Sequence, residues 1–207
     1  MHDVLSAAET IGLDSSASML KKSEAFARPG LRFTSGDIRN WKPEGEYDLI
    51  FSNAALHFVP GHAELFALFV SALSHRGQIA IHLPANQDYP THRVASELSR
   101  TEPYASELQG YTIPDSRLAP EEYAVLFHRL GLPHQHVRLH VYGHKLASAE
   151  EVVEWVKGSF LNEHKARLKP ETFDAFLAEY RKRLLAELPD DQPFFFTFKR
   201  LLLWAGY

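Results

Sequence analysis

A chain of 207 residues without a single cysteine excludes disulfides, thiolate metal sites and thiol nucleophiles, yet is long enough for one domain with a sizeable core. Its formal net charge of -4 argues against a general nucleic-acid binder and against a protein held on anionic lipid, since both need a basic surplus. An apolar content of 45%, no apolar run of about 18 residues and no signal-peptide pattern point to an ordinary globular protein without a membrane partner, expected in the cytoplasm.

Taken in order, Met1 to Glu9 reads as the tail of a helix, with Val4, Leu5 and Ala8 on one side. Ile11 and Leu13 mark a buried strand ending in Asp14; Ser15 or Ser16 then caps a helix that carries Met19 and Leu20 into the core. An acid at the carboxyl end of an early parallel strand is where doubly wound folds hold ribose hydroxyls, because one carboxylate accepts two hydrogen bonds from a vicinal diol. Helix capping is the competing reason for an Asp there. In such folds a Gly-rich turn precedes this acid by about 20 residues. Only thirteen residues precede Asp14, so that turn and the first strand are expected to lie before Met1, leaving the core N-terminally incomplete.

Pro29-Gly30 turns the chain into a strand from Leu31 that runs out at a second acid, Asp37. Tyr47 to Asn53 is a nearly continuous apolar strand, the pattern of a sheet covered on both faces. Glu64 to Ser74 predicts a helix, closed by Gly77 in a left-handed conformation, and Gln78 to Leu83 a strand closed by Pro84. Ala85 to Ala119 is irregular around one helix from Thr91 to Arg100; such segments past a strand end form lids. Pro120 to Leu130 is an amphipathic helix stopped by Gly131. Gln135 to Leu146 alternates, Val137, Leu139 and Val141 against His136, Arg138, His140 and Tyr142. Ser148 to Leu188 is helical in character, opened by a Ser148–Glu151 capping box and including a helix from Glu171 to Leu188. Pro193 to Ala205 returns to strand, with Phe194, Phe195, Phe196 and Phe198 expected as core on both faces and Trp155 and Trp204 as packing residues.

This order predicts an α/β, Rossmann-like sheet, mostly parallel with an antiparallel last strand. Residues 1–146 and 190–207 would form the core, and 147–189 a helical cap inserted before the last strand. The two late strands are expected to pair antiparallel at the sheet edge. His134, His136, His140 and His144 share one strand face, but same-face neighbours lie about 6–7 Å apart, so only the first two can meet. No acid joins them, and no metal is expected.

The segments GLDSSASML (12–20), GDIRNWKP (36–43), YDLIFSNAALHFVPGHAELF (47–66), LPANQDYPTH (83–92), SAEEVVEWV (148–156) and FKRLLLWA (198–205) resemble class I S-adenosylmethionine-dependent methyltransferases. Within that group they are similar to the enzymes that esterify small acids such as trans-aconitate. The resemblance implies S-adenosyl-L-methionine as cofactor, Asp14 on both ribose hydroxyls with Ser15 beside it, and Met19 on the adenine face. It further implies Asp37 on the adenine amine, the backbone of Ile38 reading the ring edge, and Asn53 and Ala54 beside the methionine moiety and its methyl. The family's Gly-rich loop has no counterpart here. A small carboxylic acid is the implied substrate partner; no oligomeric state is implied.

Methyl transfer to a carboxylate needs no general base, since the oxygen is already anionic near neutral pH, and no catalytic residue is assigned. A polycarboxylic substrate does need cations or donors for its non-reacting carboxylates. His57, His92, Arg93 and Tyr104, all near strand ends, are the candidates; a solvated or core-edge side chain is the plain reading of each. A methyltransferase for another small molecule, and a non-catalytic remnant without the cofactor loop, remain the alternatives.

Overall fold

The computed structural model describes residues 1–207, which divide into two compact units, Met1–Glu46 and Tyr47–Tyr207. In the first, β1 (Thr10–Asp14) pairs in parallel with β2 (Leu31–Ser35), Thr10 opposite Leu31 and Asp14 opposite Ser35, with α1 (Ala17–Ser23) as the crossover. Ser16 is the helix cap: its Oγ accepts from the Met19 N–H at 3.4 Å. No side chain of this unit is fully buried. Two expectations are corrected here. Residues before β1 form turns, not a helix, because Ser6 stands at φ +49° and breaks the helical path, and Val4 is 86% exposed. Met19 is 51% exposed and does not enter a core.

The second unit holds a four-stranded sheet in the order β3-β4-β6-β5, made of β3 (Tyr47–Asn53), β4 (Leu73–Pro84), β5 (His134–Leu146) and β6 (Phe194–Gly206). β3 and β4 are parallel, and β6 runs antiparallel to both β4 and β5. The reversed last strand is as expected, with β5 at the edge and β6 slotted inside it. Two of the three pairings in this sheet are antiparallel, however, and β1–β2 form a sheet of their own, so the single, mostly parallel sheet is corrected to a mixed one. α2 (His62–Ser71) ends earlier than the pattern predicts, and β4 starts at Leu73. Gly77 accordingly lies within β4 rather than capping a helix. Its role is close approach: a Cβ there would meet the Tyr47 carbonyl oxygen at 2.8 Å and Leu73 Cβ at 2.8 Å.

Two apolar layers form around this sheet. On one face, Ile79, Ile81 and Leu83 of β4 with Leu201, Leu203 and Ala205 of β6 are buried. Phe66 and Phe69 of α2 and Tyr123 and Phe127 of α5 (Pro120–Arg129) supply the other half of that core, Phe66 lying 5.5–5.7 Å from the other three rings. The second layer is helical. Val94 and Leu98 of α3 (Pro90–Leu98), Tyr104 of α4 (Tyr104–Glu107), Val152 and Val156 of α6 (Glu150–Lys157), and Phe176 and Tyr180 of α8 (Pro170–Glu187) share one cluster with Phe194 and Phe196. α7 (Asn162–Arg167) joins it through the buried His164. The segment expected as an irregular lid thus contributes two helices to the same apolar cluster as α6 and α8, and the Tyr180 hydroxyl ties α8 to α3 by donating to the Thr91 carbonyl at 3.0 Å.

Local expectations fail where coverage changes along a strand. In β5 the half-buried positions are Gln135 and Val137 at one end but Tyr142, His144 and Leu146 at the other. Leu139 and Val141, expected on an apolar face, are 51% and 55% exposed. Phe194 and Phe196 are buried whereas Phe195 is 64% exposed, its ring lying over Gly143, so the phenylalanine run has one core face. The capping box is also incomplete: Glu151 Oε2 accepts from Ala147 N at 2.9 Å, but Ser148 offers only its backbone carbonyl. No three His, Asp or Glu side chains gather as a metal-ligand group, and no helix is long and apolar enough to cross a membrane.

Candidate active site

On the first unit, Asp14 ends β1 and its Oδ1 accepts the Ser16 N–H at 2.8 Å. The capping role is therefore real, but Oδ2 and the exposed face of the carboxylate are left for another donor. Gly36 N donates to the Asp14 carbonyl at 3.0 Å, which holds the approach to Asp37 beside the end of β1. Asp37 caps the 3-10 turn Ile38–Asn40: its Oδ1 accepts from Arg39 N at 2.9 Å, and its two oxygens also accept from Arg39 Nε and Nη2. The Arg39 guanidinium and backbone N–H pull its pKa down to about 2. A carboxylate offers about four acceptor positions. Arg39 uses the capacity of Asp37, so an adenine amine would have to displace it. Ser15 and Met19 are exposed and Ile38 is half-buried.

The second unit holds the denser site. Asn53 ends β3 opposite His82 of β4, and its Oδ1 is hydrogen-bonded to His82 Nδ1. Ala54 follows at φ +54°, its N–H donating to the His82 carbonyl at 2.9 Å. His57 lies in the next 3-10 turn, Leu56–Phe58, with a buried Nδ1 that has no partner. His92 opens α3, with Nδ1 bonded to Thr91 Oγ1 at 2.9 Å and its ring 4.1 Å from that of Phe160. Burial first, and the Arg117 charge second, push the pKa of both histidines down to about 4, so both are neutral at pH 7. His82 is lowered too, by burial and then by Arg200.

Arg117 is the cation of this site. Its Nε and Nη2 donate to the two oxygens of Asp115 at 2.7 and 2.8 Å, and its side chain is only 14% exposed. Ser116 N donates to the His57 carbonyl at 3.2 Å, which lays the 115–117 segment against the His57 turn. His62 braces the same turn from below: Nε2 is bonded to the Leu56 carbonyl at 2.9 Å and Nδ1 to the Tyr123 hydroxyl, which accepts from Leu118 N at 3.3 Å. Beyond β4, Asn86 is fully buried; its Oδ1 accepts from Lys199 N at 2.8 Å while Nδ2 has no partner.

Of the residues expected to orient substrate, His57 and His92 stand in this cluster and two do not. Arg93 points to solvent and is paired with Glu97 at 3.1 Å and with Glu187. Tyr104 is 8% exposed in the helical core, edge-on to Phe176 at 5.1 Å. Arg117, Asp115, His82 and Asn86 were not singled out by sequence reasoning. For Arg117 a signal was present: Asp115-Ser116-Arg117 repeats the spacing of Asp37-Ile38-Arg39.

Comparison with known proteins agrees with this architecture. A family model described as a methyltransferase domain matches residues 1–77. Among curated relatives, trans-aconitate 2-methyltransferase of Deinococcus radiodurans is 36% identical over 204 residues, covering 96% of this chain and 77% of that protein. The enzyme of the same name from Streptomyces avermitilis is 34% identical over 205 residues, covering 96% and 76%. Among solved structures, the YcgJ protein of Bacillus subtilis is similar in fold, with a TM-score of 0.60 at 16% identity over 99% of this chain and 86% of that one. A putative methyltransferase from Bacillus halodurans gives 0.54 at 14% identity, over 96% and 82%.

Proposed function

This chain belongs to the S-adenosylmethionine-dependent methyltransferases, in the family of the trans-aconitate 2-methyltransferases it matches, and we propose that it forms a methyl ester on a small polycarboxylic acid. When bound, S-adenosylmethionine supplies a sulfonium methyl: an O–CH3 bond forms as the S–CH3 bond breaks, and S-adenosylhomocysteine leaves without net proton transfer. On the first unit the free Oδ2 of Asp14 fits a ribose diol, with Ser15 beside it, and the exposed thioether of Met19 fits an adenine face. Asp37, with the Ile38 backbone, suits the adenine edge once Arg39 is drawn off.

The observation that carries the acid substrate is the cluster of His57, His92 and Arg117 on the second unit. A carboxylate needs no base to become a nucleophile. It needs placement and a dry surrounding, because the reaction neutralises a carboxylate against a sulfonium. The unpartnered, buried Nδ1 of His57 is a polar group with no water-facing outlet, consistent with such a site. Two neutral imidazoles add donors without adding charge, and Arg117 supplies the single cation that an acid requires.

The test is transfer of labelled methyl by the chain to trans-aconitate, tricarballylate, a monocarboxylic acid and an amine. Base-labile label on the polycarboxylates is expected; base-stable label on the amine would overturn the substrate assignment. The closed Asp37–Arg39 pair favours a second reading, a chain that does not retain cofactor. Calorimetry with S-adenosylhomocysteine decides it: no heat would leave a non-catalytic protein.

A further inference from the structure

We propose that Arg117, oriented by Asp115 and flanked by His57 and His92, anchors a carboxylate of the substrate that does not react, and thereby makes the site select polycarboxylates over monocarboxylates. This rests on the methyltransferase reading above and adds the residue that sets its specificity.

The geometry of the guanidinium is the first argument. Asp115 occupies its Nε–Nη2 edge at 2.7 and 2.8 Å. What remains is the end-on edge, Nη1 with the second hydrogen of Nη2, a fork that matches the two oxygens of a further carboxylate. Asp115 neutralises part of the charge and fixes the plane, and the 14% exposure of the Arg117 side chain keeps competing water low. An unpartnered polar atom beside it supports the same use: the buried Nδ1 of His57. Buried donors without partners are rare in finished structures and mark places where a ligand or water completes the pairing.

The chemistry decides which carboxylate sits there. Each oxygen held by a guanidinium commits a lone pair to a charge-assisted hydrogen bond and is a weaker nucleophile, so the reacting carboxylate is the one left outside the fork. A monocarboxylate offers only one group and must choose between anchor and reaction. A di- or tricarboxylate uses both. The charged and titratable groups around the two histidines are Arg117, Asp115, His82 and His62 about His57, and Arg117, Asp115, His57 and Asp88 about His92. Arg117 is the dominant cation for each, so a carboxylate entering at its free edge meets one charge, with two uncharged imidazoles beside it.

The experiment is calorimetry of tricarballylate and of propanoate on the full chain in the presence of S-adenosylhomocysteine. Steady-state methyl transfer is measured alongside. Arg117→Gln is expected to weaken tricarballylate binding and raise its KM by roughly tenfold to a hundredfold, the effect of one lost charge-assisted pair, with kcat changed far less. The preference for tricarballylate over propanoate in kcat/KM falls toward one, and Arg93→Gln, outside the cluster, behaves as wild type. Arg117→Lys, which keeps charge but not the fork, gives an intermediate loss and serves if Arg117→Gln does not fold. Unchanged KM and affinity in Arg117→Gln, or no tricarballylate binding to wild type, overturn the proposal. Arg117-dependent binding without any methyl transfer sinks the function reading alone; methyl transfer with an unaltered KM in Arg117→Gln sinks the anchor alone.

Discussion

The chain builds the same small device twice. In Asp37-Ile38-Arg39 and in Asp115-Ser116-Arg117 the carboxylate accepts from the backbone N–H two residues on and from the guanidinium of that same residue. The two carboxylates are similarly exposed, 30% for Asp37 and 39% for Asp115, but the arginines differ: the Arg39 side chain is 62% exposed and that of Arg117 is folded in at 14%. Exposure changes what the pair means. For Asp37 the Arg39 bonds are the leading influence and the pKa falls to about 2. For Asp115 burial, which raises the pKa, is the largest influence, and the Arg117 bonds still bring it below the ordinary value. Water lets the first fork open and close at little cost. Around the second, breaking the pair leaves a charge in a poorly solvated site.

Acid should separate the two regions most. His164 is 2% exposed, stacked on Phe176, with its pKa pushed down to about 4 by burial and then by Arg167. The unfolded chain takes up this proton near 6.5 and the folded chain only near 4, so stability present above 6.5 is lost as pH falls through that window. His164 alone should account for roughly 3 kcal/mol of the loss on the second unit, read by urea unfolding followed at Trp155 and Trp204. His164→Phe should remove that share of the slope and leave the shares of His57 and His92. Asp37 loses its contribution in the same direction but in a lower window: it persists above about 3.8 and goes only as pH drops toward 2.

Next in size, Asp115→Ala should cost about 1–3 kcal/mol, since a buried guanidinium loses its partner. Asp37→Ala should cost less than Asp115→Ala, since only a solvent-exposed cap is lost. A denaturation midpoint shared by the two variants would erase the distinction. Arg39→Gln should leave the denaturation midpoint essentially unchanged, as exposed ion pairs contribute little. It should return the Asp37 titration from about 2 toward 3.8, measured by carboxyl carbon NMR. Smallest of all, 0.5 M salt should nudge Asp37 in the same direction and move Asp115 less, because screening reaches exposed charges first.

Much of this was written in the chain locally. The alternation of apolar runs with helical periods placed β1, β2, β3, α3, α5, α8 and β6 within a few residues, because hydrophobic period and turn chemistry act over short distances. Strand ends at Asp14, Asp37 and Asn53 were legible for the same reason, as was the reversed last strand after a helical insert. Local patterns misled where coverage came from afar. Leu139 and Val141 alternate like core residues yet nothing packs over them, and Gly77 looks like a helix cap but serves a close approach to Tyr47.

The sequence by itself determined the order of elements, the acids and the asparagine at strand tips, and the two Asp-x-Arg pairs, all set by bonds and contacts within a few residues. Only the tertiary structure decided that one of those pairs is buried beside His57 and His92. It also drew Arg93 out to Glu187 and Tyr104 into the helical core. Burial is a property of elements distant in sequence closing over a side chain, and it is burial that gathers Arg117, His57 and His92 into one poorly solvated cluster.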